Sequence, residues 1–444
     1  MLKSNKESGD YLRQIRNNIP EKVNVIEQYL DNHSLPKTKD GKIKIIELGT
    51  GGGQSLQHIK RHIVDSVDVE LLAVDIIPSL AASLKKEIDI EAVAADAGVL
   101  PFANESISAI NASAVFHEVS SYGTSNNVEN VNTLYGKEAL IKTLGELNRV
   151  LLPSGIVAYR DVLAPSGDLT KEKTVKYFNE SWKYFTKWFA KDFSESNPHF
   201  YENIKTSIDD TEEGFSLATS VGFQRELQRH YLMLRDYLRN VKQQEFGLTM
   251  LSSVWLNETE GLKFITFSLD NHLTQVVDLT GFEIHDSAAG KVYRGDSDQF
   301  DKIYDDLMRY YFTQLDSASE KGNNFRNLIE EWKDREGTEH YIYGNVADIL
   351  KFSCKATQNI TSKYVLFPEL ASDINIAPRF YYNRYLKQVI DDPEKDGKQI
   401  ISFKKLSKNQ ALKSLQGLQS SPVSREILDS ETIKQLQEEI ERIF

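Results

Sequence analysis

Apolar side chains recur at three- and four-residue steps through the first forty residues, where Tyr11, Ile15, Ile19, Val23, Ile26 and Leu30 share one helical face. Pro20 should break or kink this stretch into two helices, and Leu35–Lys42 reads as a loop. The grammar then changes to short apolar runs separated by helical stretches, the pattern of a parallel sheet built from βαβ units. Strands are predicted at Ile43–Leu48, Val69–Asp75, Ile90–Asp96, Ile107–Ser113 and Gly155–Asp161, with helices at Gln54–Val64, Ser79–Glu87 and Lys137–Leu151. Leu71–Val74 is apolar throughout, as a parallel strand covered on both faces should be.

From about Ala164 to Gly337 the pattern turns helical and aromatic-rich, with Tyr177, Phe178, Trp182, Tyr184, Phe185, Trp188 and Phe189 close together. These are too closely spaced for one helix face, so some must pack on other elements. Val346–Lys355 then reads as helix and Thr361–Phe367 as strand; a helical, basic-aromatic segment follows, and after a turn Gln399–Phe403 reads as another strand. These last strands are expected to return to the sheet, making the aromatic region an insertion. A rival assignment takes Phe215–Gly222 as the sheet-packing helix and Arg225–Leu232 as its strand. The first is preferred, because Tyr231–Val241 reads more naturally as helix. The expected organisation is an N-terminal helical lid (1–40), a nucleotide-binding core (41–165), a helical substrate-recognition insertion (166–337), the return to the sheet (338–410) and a C-terminal helical tail (411–444).

Composition narrows the function classes. The chain has 444 residues, one cysteine (Cys354) and a formal net charge of −12. One thiol supports neither an intrachain disulfide nor a multi-thiolate zinc site. No apolar leader or run of roughly 20 apolar residues is visible, so a cytoplasmic protein that does not enter a membrane is expected. The negative charge disfavours duplex nucleic acid as a partner. His58 and His62 lie one helical turn apart without the glutamate of a zinc-protease motif, and no metal site is expected.

The chemistry centres on Glu47-Leu48-Gly49-Thr50-Gly51-Gly52-Gly53, which follows a strand and precedes a helix. Glycines there permit a tight turn and a close ligand approach, and the helix N-terminus offers unpaired N–H groups. Alone, the turn fits a methyl-donor site, a dinucleotide site or a plain flexible turn. Asp75 ends the second strand, where a carboxylate can accept from both hydroxyls of a ribose diol; a solvated turn aspartate is the structural alternative. Asp96 ends the third strand beside Ala97, ahead of Leu100-Pro101-Phe102. It can accept from an adenine amine, or simply cap a helix. Ile76 is a candidate wall for the ring.

These residues, together with Leu147-Asn148-Arg149-Val150-Leu151-Leu152-Pro153-Ser154-Gly155, resemble the successive motifs of class I S-adenosylmethionine-dependent methyltransferases. The closest flavour is the small-molecule group that includes the ubiquinone and menaquinone methyltransferases. The resemblance covers roughly residues 41–163. It implies a Rossmann-like, doubly wound α/β fold with a mostly parallel seven-stranded sheet, here carrying a large helical insertion. It also implies S-adenosyl-L-methionine as cofactor. Gly49, Gly51 and Gly53 would surround the methionine moiety with help from Glu47, Asp75 would hold the ribose and Asp96 the adenine, and Ile76, Ala97 and Asn111 complete the cofactor set. Ile76-Ile77-Pro78-Ser79 lengthens the turn after the ribose acid relative to the family pattern.

The fourth strand continues into Ala114-Val115-Phe116-His117-Glu118 and lacks the Asn/Asp-Pro-Pro-aromatic motif of base-amine methyltransferases. His117 is a candidate general base or a hydrogen-bonded histidine shaping the wall. Tyr122, in a polar stretch running to Leu134, is placed at the pocket mouth. Asp161, preceded by Arg160 at the end of the fifth strand, belongs near the substrate crevice or serves as an ion-pair partner or helix cap. The expected acceptor is a small molecule or peptide methylated on oxygen, nitrogen or carbon. The competing readings are a nicotinamide-dependent oxidoreductase and a catalytically silent binding module. Lys363, Arg379, Arg384 and Lys387, among Tyr364, Phe380, Tyr381, Tyr382 and Tyr385, bind acidic or single-stranded ligands or form a solvated face over a buried aromatic side. Ile433, Leu436, Ile440 and Phe444 stripe a C-terminal helix that docks on the body or on a partner chain, so a homodimer is among the expected states.

Overall fold

The computed structural model describes residues 19–63, 68–122, 133–165, 167–196, 205–257, 261–288, 290–315, 317, 319–420 and 427–443. It divides into two compact units. The first comprises Met1–Ala164, His340–Ala377 and Gly397–Phe444, and the second Pro165–Glu339 and Pro378–Asp396. No helix among the described residues is long and apolar enough to cross a membrane.

The first unit is built on five strands, β1 (Ile43–Leu48), β2 (Val69–Asp75), β3 (Glu91–Ala94), β4 (Ile107–Ser113) and β5 (Leu151–Val162). They run parallel in the order β3-β2-β1-β4-β5. Gly397–Ser407 adds antiparallel to β5, and Tyr364–Pro368 adds antiparallel beyond it. This is a mostly parallel, Rossmann-like sheet whose winding reverses between β1 and β4, the place where such sheets hold ligands. It has eight strands rather than seven. The additional one, Ile374–Pro378, falls in the segment expected to be helical; it is short, pairs with Gly397–Ser407 off the main strand order and buries only Ile374 fully, so its pattern is too sparse to read.

Helix α1 (Ile19–Asp31) packs Val23, Ile26 and Leu30 on one face of the sheet. Pro20 lies in its first turn, where a missing N–H breaks no hydrogen bond, and the stretch before Ile19, on which the expected division into two helices depends, lies outside the described residues. Tyr11 and Ile15 lie outside the described residues. Helices α2 (Gln54–His62), α3 (Pro78–Ile88) and α5 (Thr133–Val150) are crossovers, and α4 (Phe116–Tyr122) replaces the start of the expected polar loop. The C-terminal helix Ser430–Arg442 buries Ile433, Leu436 and Ile440 within the first unit, against Val346–Asn359 and Lys408–Ser420; Phe444 lies outside the described residues.

The second unit departs from the helical insertion expected for 166–337. It holds two antiparallel sheets, one of three strands (Glu172–Tyr177, Gly214–Ser220, Ser207–Thr211) and one of four (Glu283–Ser287, Gly290–Asp296, Gly261–Leu269, Leu248–Asn257). Gly214–Ser220 shows why: it is short, and only Phe215, Leu217 and Thr219 alternate inward, a weak signal beside the aromatic helices. The rival assignment is reversed here, since 214–220 is strand and Val221–Asn240 is helix. In helix Glu180–Ser196, Trp182, Phe185 and Phe189 are buried while Tyr184 is exposed, as is Phe178 just before it.

The basic-aromatic stretch is likewise split. Lys363 and Tyr364 belong to the first unit, whereas Tyr381, Tyr382 and Tyr385 are core residues of the second. Arg379 joins Arg225 and Arg229 around the buried Asp396 carboxylate, at 3.2, 3.0 and 3.0 Å. These guanidiniums hold Asp396 well below the usual carboxylate range against the opposing effect of burial, the largest single influence. Removing the charge takes a counter-ion from the buried Arg225 and Arg229, while Arg379 keeps Asp236 at 3.4 Å. Asp396→Asn should therefore destabilise the second unit by about 3–5 kcal/mol. All four tryptophans lie in this unit, so a urea titration followed by tryptophan fluorescence reads the loss directly; an unchanged midpoint would show that the cluster is not what holds the unit together.

Candidate active site

The site grows from the end of β1. Thr50 Oγ1 donates to the carbonyl of Glu47 at 2.9 Å and accepts from the Val74 N–H at 3.1 Å, tying the bend to β2. Gly49, Gly51 and Gly53 have φ of 66°, 52° and 71°, left-handed values that glycine adopts without strain. Two of them also leave no room for a side chain. A Cβ at Gly49 would lie 2.8 Å from Val115 Cγ2, and one at Gly53 would lie 2.5 Å from Ile88 Cδ1 of α3.

The bend reaches directly to the end of β2. Gly51 N–H donates to Asp75 Oδ2 at 3.2 Å, and Ile77 N–H to Oδ1 at 3.0 Å. Asp75 is buried, while Ile76 beside it is exposed. Asp96 follows β3, the neighbour of β2, where Ala95 N–H donates to the Asp75 carbonyl at 2.9 Å. Its exposed carboxylate accepts from Gly98 N–H at 2.6 Å, with Ala97 half-buried between. Arg149 of α5 donates to the carbonyls of Leu100 and Phe102 at 2.9 and 2.8 Å, fixing the segment after Asp96. Gly51, Asp75 and Asp96 therefore share the carboxyl end of the sheet.

Glu47 and Asn111 are paired residues of β1 and β4, both buried. Asn111 Nδ2 donates to Glu47 Oε1 at 3.4 Å. Burial pushes the Glu47 carboxyl up to about 7, with Ser55, Lys22 and Asn111 nearby only partly offsetting it.

Across β4, Asp161 draws α4 into place. Its Oδ2 accepts from the N–H groups of Phe116 and His117 at 2.7 and 3.2 Å, capping the helix, and its Oδ1 lies 2.7 Å from His117 Nδ1. Val162 N–H also donates to Oδ1, at 2.7 Å. Burial is the largest influence on Asp161 and raises it, but the His117 charge and these donors outweigh it and hold the carboxyl below its usual value. The ion-pair and helix-cap alternatives for Asp161 are thus one arrangement, with His117 as the partner. Tyr122 ends α4 five residues past His117, so helix geometry turns it about 140° from the His117 face.

Two residues that sequence reasoning missed stand beside these. The Tyr341 ring lies 5.4 Å from the His117 ring, and Tyr343 OH lies 2.7 Å from Tyr159 OH. The alternation His340-Tyr341-Ile342-Tyr343 was the available signal. His58 and His62, by contrast, face carboxylates of α1, with His62 Nε2 at 2.8 Å from Asp31.

Residues 46–159 match the family model of a methyltransferase domain. The matched stretch contains β2 to β4, the second half of β1 and most of β5, and the rest of the chain is not covered by a family. No curated protein matches the chain. Among solved structures, the chain is similar to a SAM-dependent methyltransferase from Aquifex aeolicus (15% identity, 48% of this chain, 98% of that one, TM-score 0.25). It is also similar to the CurJ carbon methyltransferase (14%, 46% and 54%, TM-score 0.25). A further match, the cyclase SpnF, has 15% identity over 33% of this chain with a TM-score of 0.23, and the chain spans 47% of its length.

The first unit should lose stability when Asp161 loses its charge. Because the folded-state pKa lies below the unfolded one, the contribution is present at neutral pH and is lost as pH falls below about 4. Asp161→Asn is expected to lower first-unit stability by about 1–3 kcal/mol at pH 7, with a smaller gap in acid. Urea titrations by far-UV circular dichroism at both pH values measure this, and an equal gap at each would assign the loss to shape rather than charge.

Proposed function

We propose that the protein transfers a methyl group from S-adenosylmethionine to an oxygen, nitrogen or carbon of a small-molecule or peptide acceptor. The observation that carries this reading is the contact between Gly51 N–H and Asp75, with Asp96 just past the end of the neighbouring strand. Asp75 stands at the carboxyl end of β2, where a carboxylate suits the hydroxyls of a ribose diol. Asp96, more exposed, suits an exocyclic amine, with Ile76 and Ala97 beside it. The left-handed glycine bend between β1 and α2 suits a ligand held at the carboxyl end of the sheet. Glu47 and Asn111 supply acceptors at the methionine end.

When bound, S-adenosylmethionine supplies an activated methyl carbon on its sulfonium. The chain's task is then to position the acceptor and exclude water. With its Nδ1–H donated to Asp161, His117 holds the tautomer in which Nε2 is the basic nitrogen. It can take the proton that a hydroxyl, amine or acidic carbon must lose. The net charge of −12 favours an acceptor other than nucleic acid.

Isothermal titration with S-adenosylhomocysteine and with NADH separates this reading from a nicotinamide enzyme. S-adenosylhomocysteine should bind and NADH should not; the reverse result would overturn the proposal. Asp75→Ala should weaken S-adenosylhomocysteine by about tenfold or more, the worth of hydrogen bonds to a charged group. His117→Gln should keep that affinity while lowering labelled-methyl incorporation into lysate acceptors by about 10²–10⁴-fold.

A further inference from the structure

The sheet face beneath α1 changes from apolar to polar along the strands. Ile45, Ala109 and Ile156 form one paired row, Glu47, Asn111 and Ala158 the next, and Ser113 and Arg160 the last. Val23, Ile26 and Leu30 of α1 cover the apolar part, together with Ala158. The first turn of the same helix meets the polar part: Arg160 Nε donates to Glu21 Oε1 at 2.7 Å, and the Lys22 ammonium interacts with the charges of Arg160 and Glu47.

This polar pocket is not balanced by the chain's own groups. Glu47 Oε2 and Asn111 Oδ1 are buried and meet no donor at hydrogen-bonding geometry. Burial, reinforced by Arg160, pulls Lys22 down to about 8, while Glu47 only partly restores it. Buried acceptors without donors, next to a desolvated cation, are costly in a closed core. They suit a zwitterion, whose ammonium faces the acceptors and whose carboxylate faces the lysine. The amino-acid end of S-adenosylmethionine is such a group. The family match begins at residue 46, after α1, so it assigns no role to this helix.

We propose that Lys22 is a cofactor-binding residue, holding the α-carboxylate of S-adenosylmethionine while Glu47 and Asn111 take its α-ammonium. This rests on the methyltransferase reading above. It makes α1 part of the cofactor site rather than only a cover for the sheet.

The test is isothermal titration of the full chain with three probes: S-adenosylhomocysteine, its decarboxylated analogue, and 5′-methylthioadenosine, which lacks the amino-acid end. The unmodified protein should bind S-adenosylhomocysteine about tenfold or more tighter than the decarboxylated analogue, a measurement that needs no variant. Lys22→Met should remove that preference and leave 5′-methylthioadenosine within about twofold, whereas Lys22→Arg should keep it. No preference in the unmodified protein, or equal weakening of all three probes by Lys22→Met, overturns the assignment of Lys22. Failure of the unmodified protein to bind any of the three overturns the methyltransferase reading and this proposal together.

Discussion

A carboxylate buried at the end of β5 has to find donors, and the site is organised around how Asp161 finds them. Four N–H groups converge on it: two from the first turn of α4, one from Val162 and one from the His117 ring. A single charge therefore starts a helix, sets a tautomer and fixes a side chain on the acceptor side of the sheet. Solvation by the protein replaces solvation by water, which is how the group stays ionised despite complete burial. Tyr341 and Tyr343 pack in the same neighbourhood, so the chain that returns from the second unit completes a wall begun by β5.

Buried charge is handled differently at Asp396, Asp161 and Glu47. Asp396 in the second unit is surrounded by three guanidiniums and is structural in character. Asp161 is satisfied mainly by backbone and one imidazole, which keeps a titratable ring in a defined orientation. Glu47 is the least compensated, drawn up to about 7 by burial with one oxygen short of a donor. The order runs from scaffold to site: the less complete the internal pairing, the more a ligand has to contribute.

The residues of the glycine bend and the two strand-end carboxylates were readable because their chemistry depends on local order: strand, turn, acid, helix. Asp75 and Asp96 lie on neighbouring strands because short parallel units wind in a constrained way. Helix α4 was not readable. Its cap is a carboxylate 44 and 45 residues further along the chain, and no local capping box announces it. Lys22 was hidden for a similar reason, since a lysine in an N-terminal amphipathic helix looks like any solvated residue until the helix is docked. The strands of the second unit escaped because antiparallel pairing is decided by partners distant in sequence, and each strand alone is too short to outweigh the aromatic helices around it.

By itself the sequence determined the parallel core, its strand positions and the cofactor-type bend, because periodicity and left-handed glycines are properties of a few adjacent residues. Tertiary structure alone decided which buried charges are satisfied and which are not. It brought His117 to Asp161 and Tyr341 to His117, and it set Lys22 within the electrostatic reach of Glu47, arrangements that depend on the winding of the sheet and the docking of α1. Proton affinity and hydrogen-bond satisfaction are set by everything that surrounds a group in space, and that information is not carried by its neighbours in the chain.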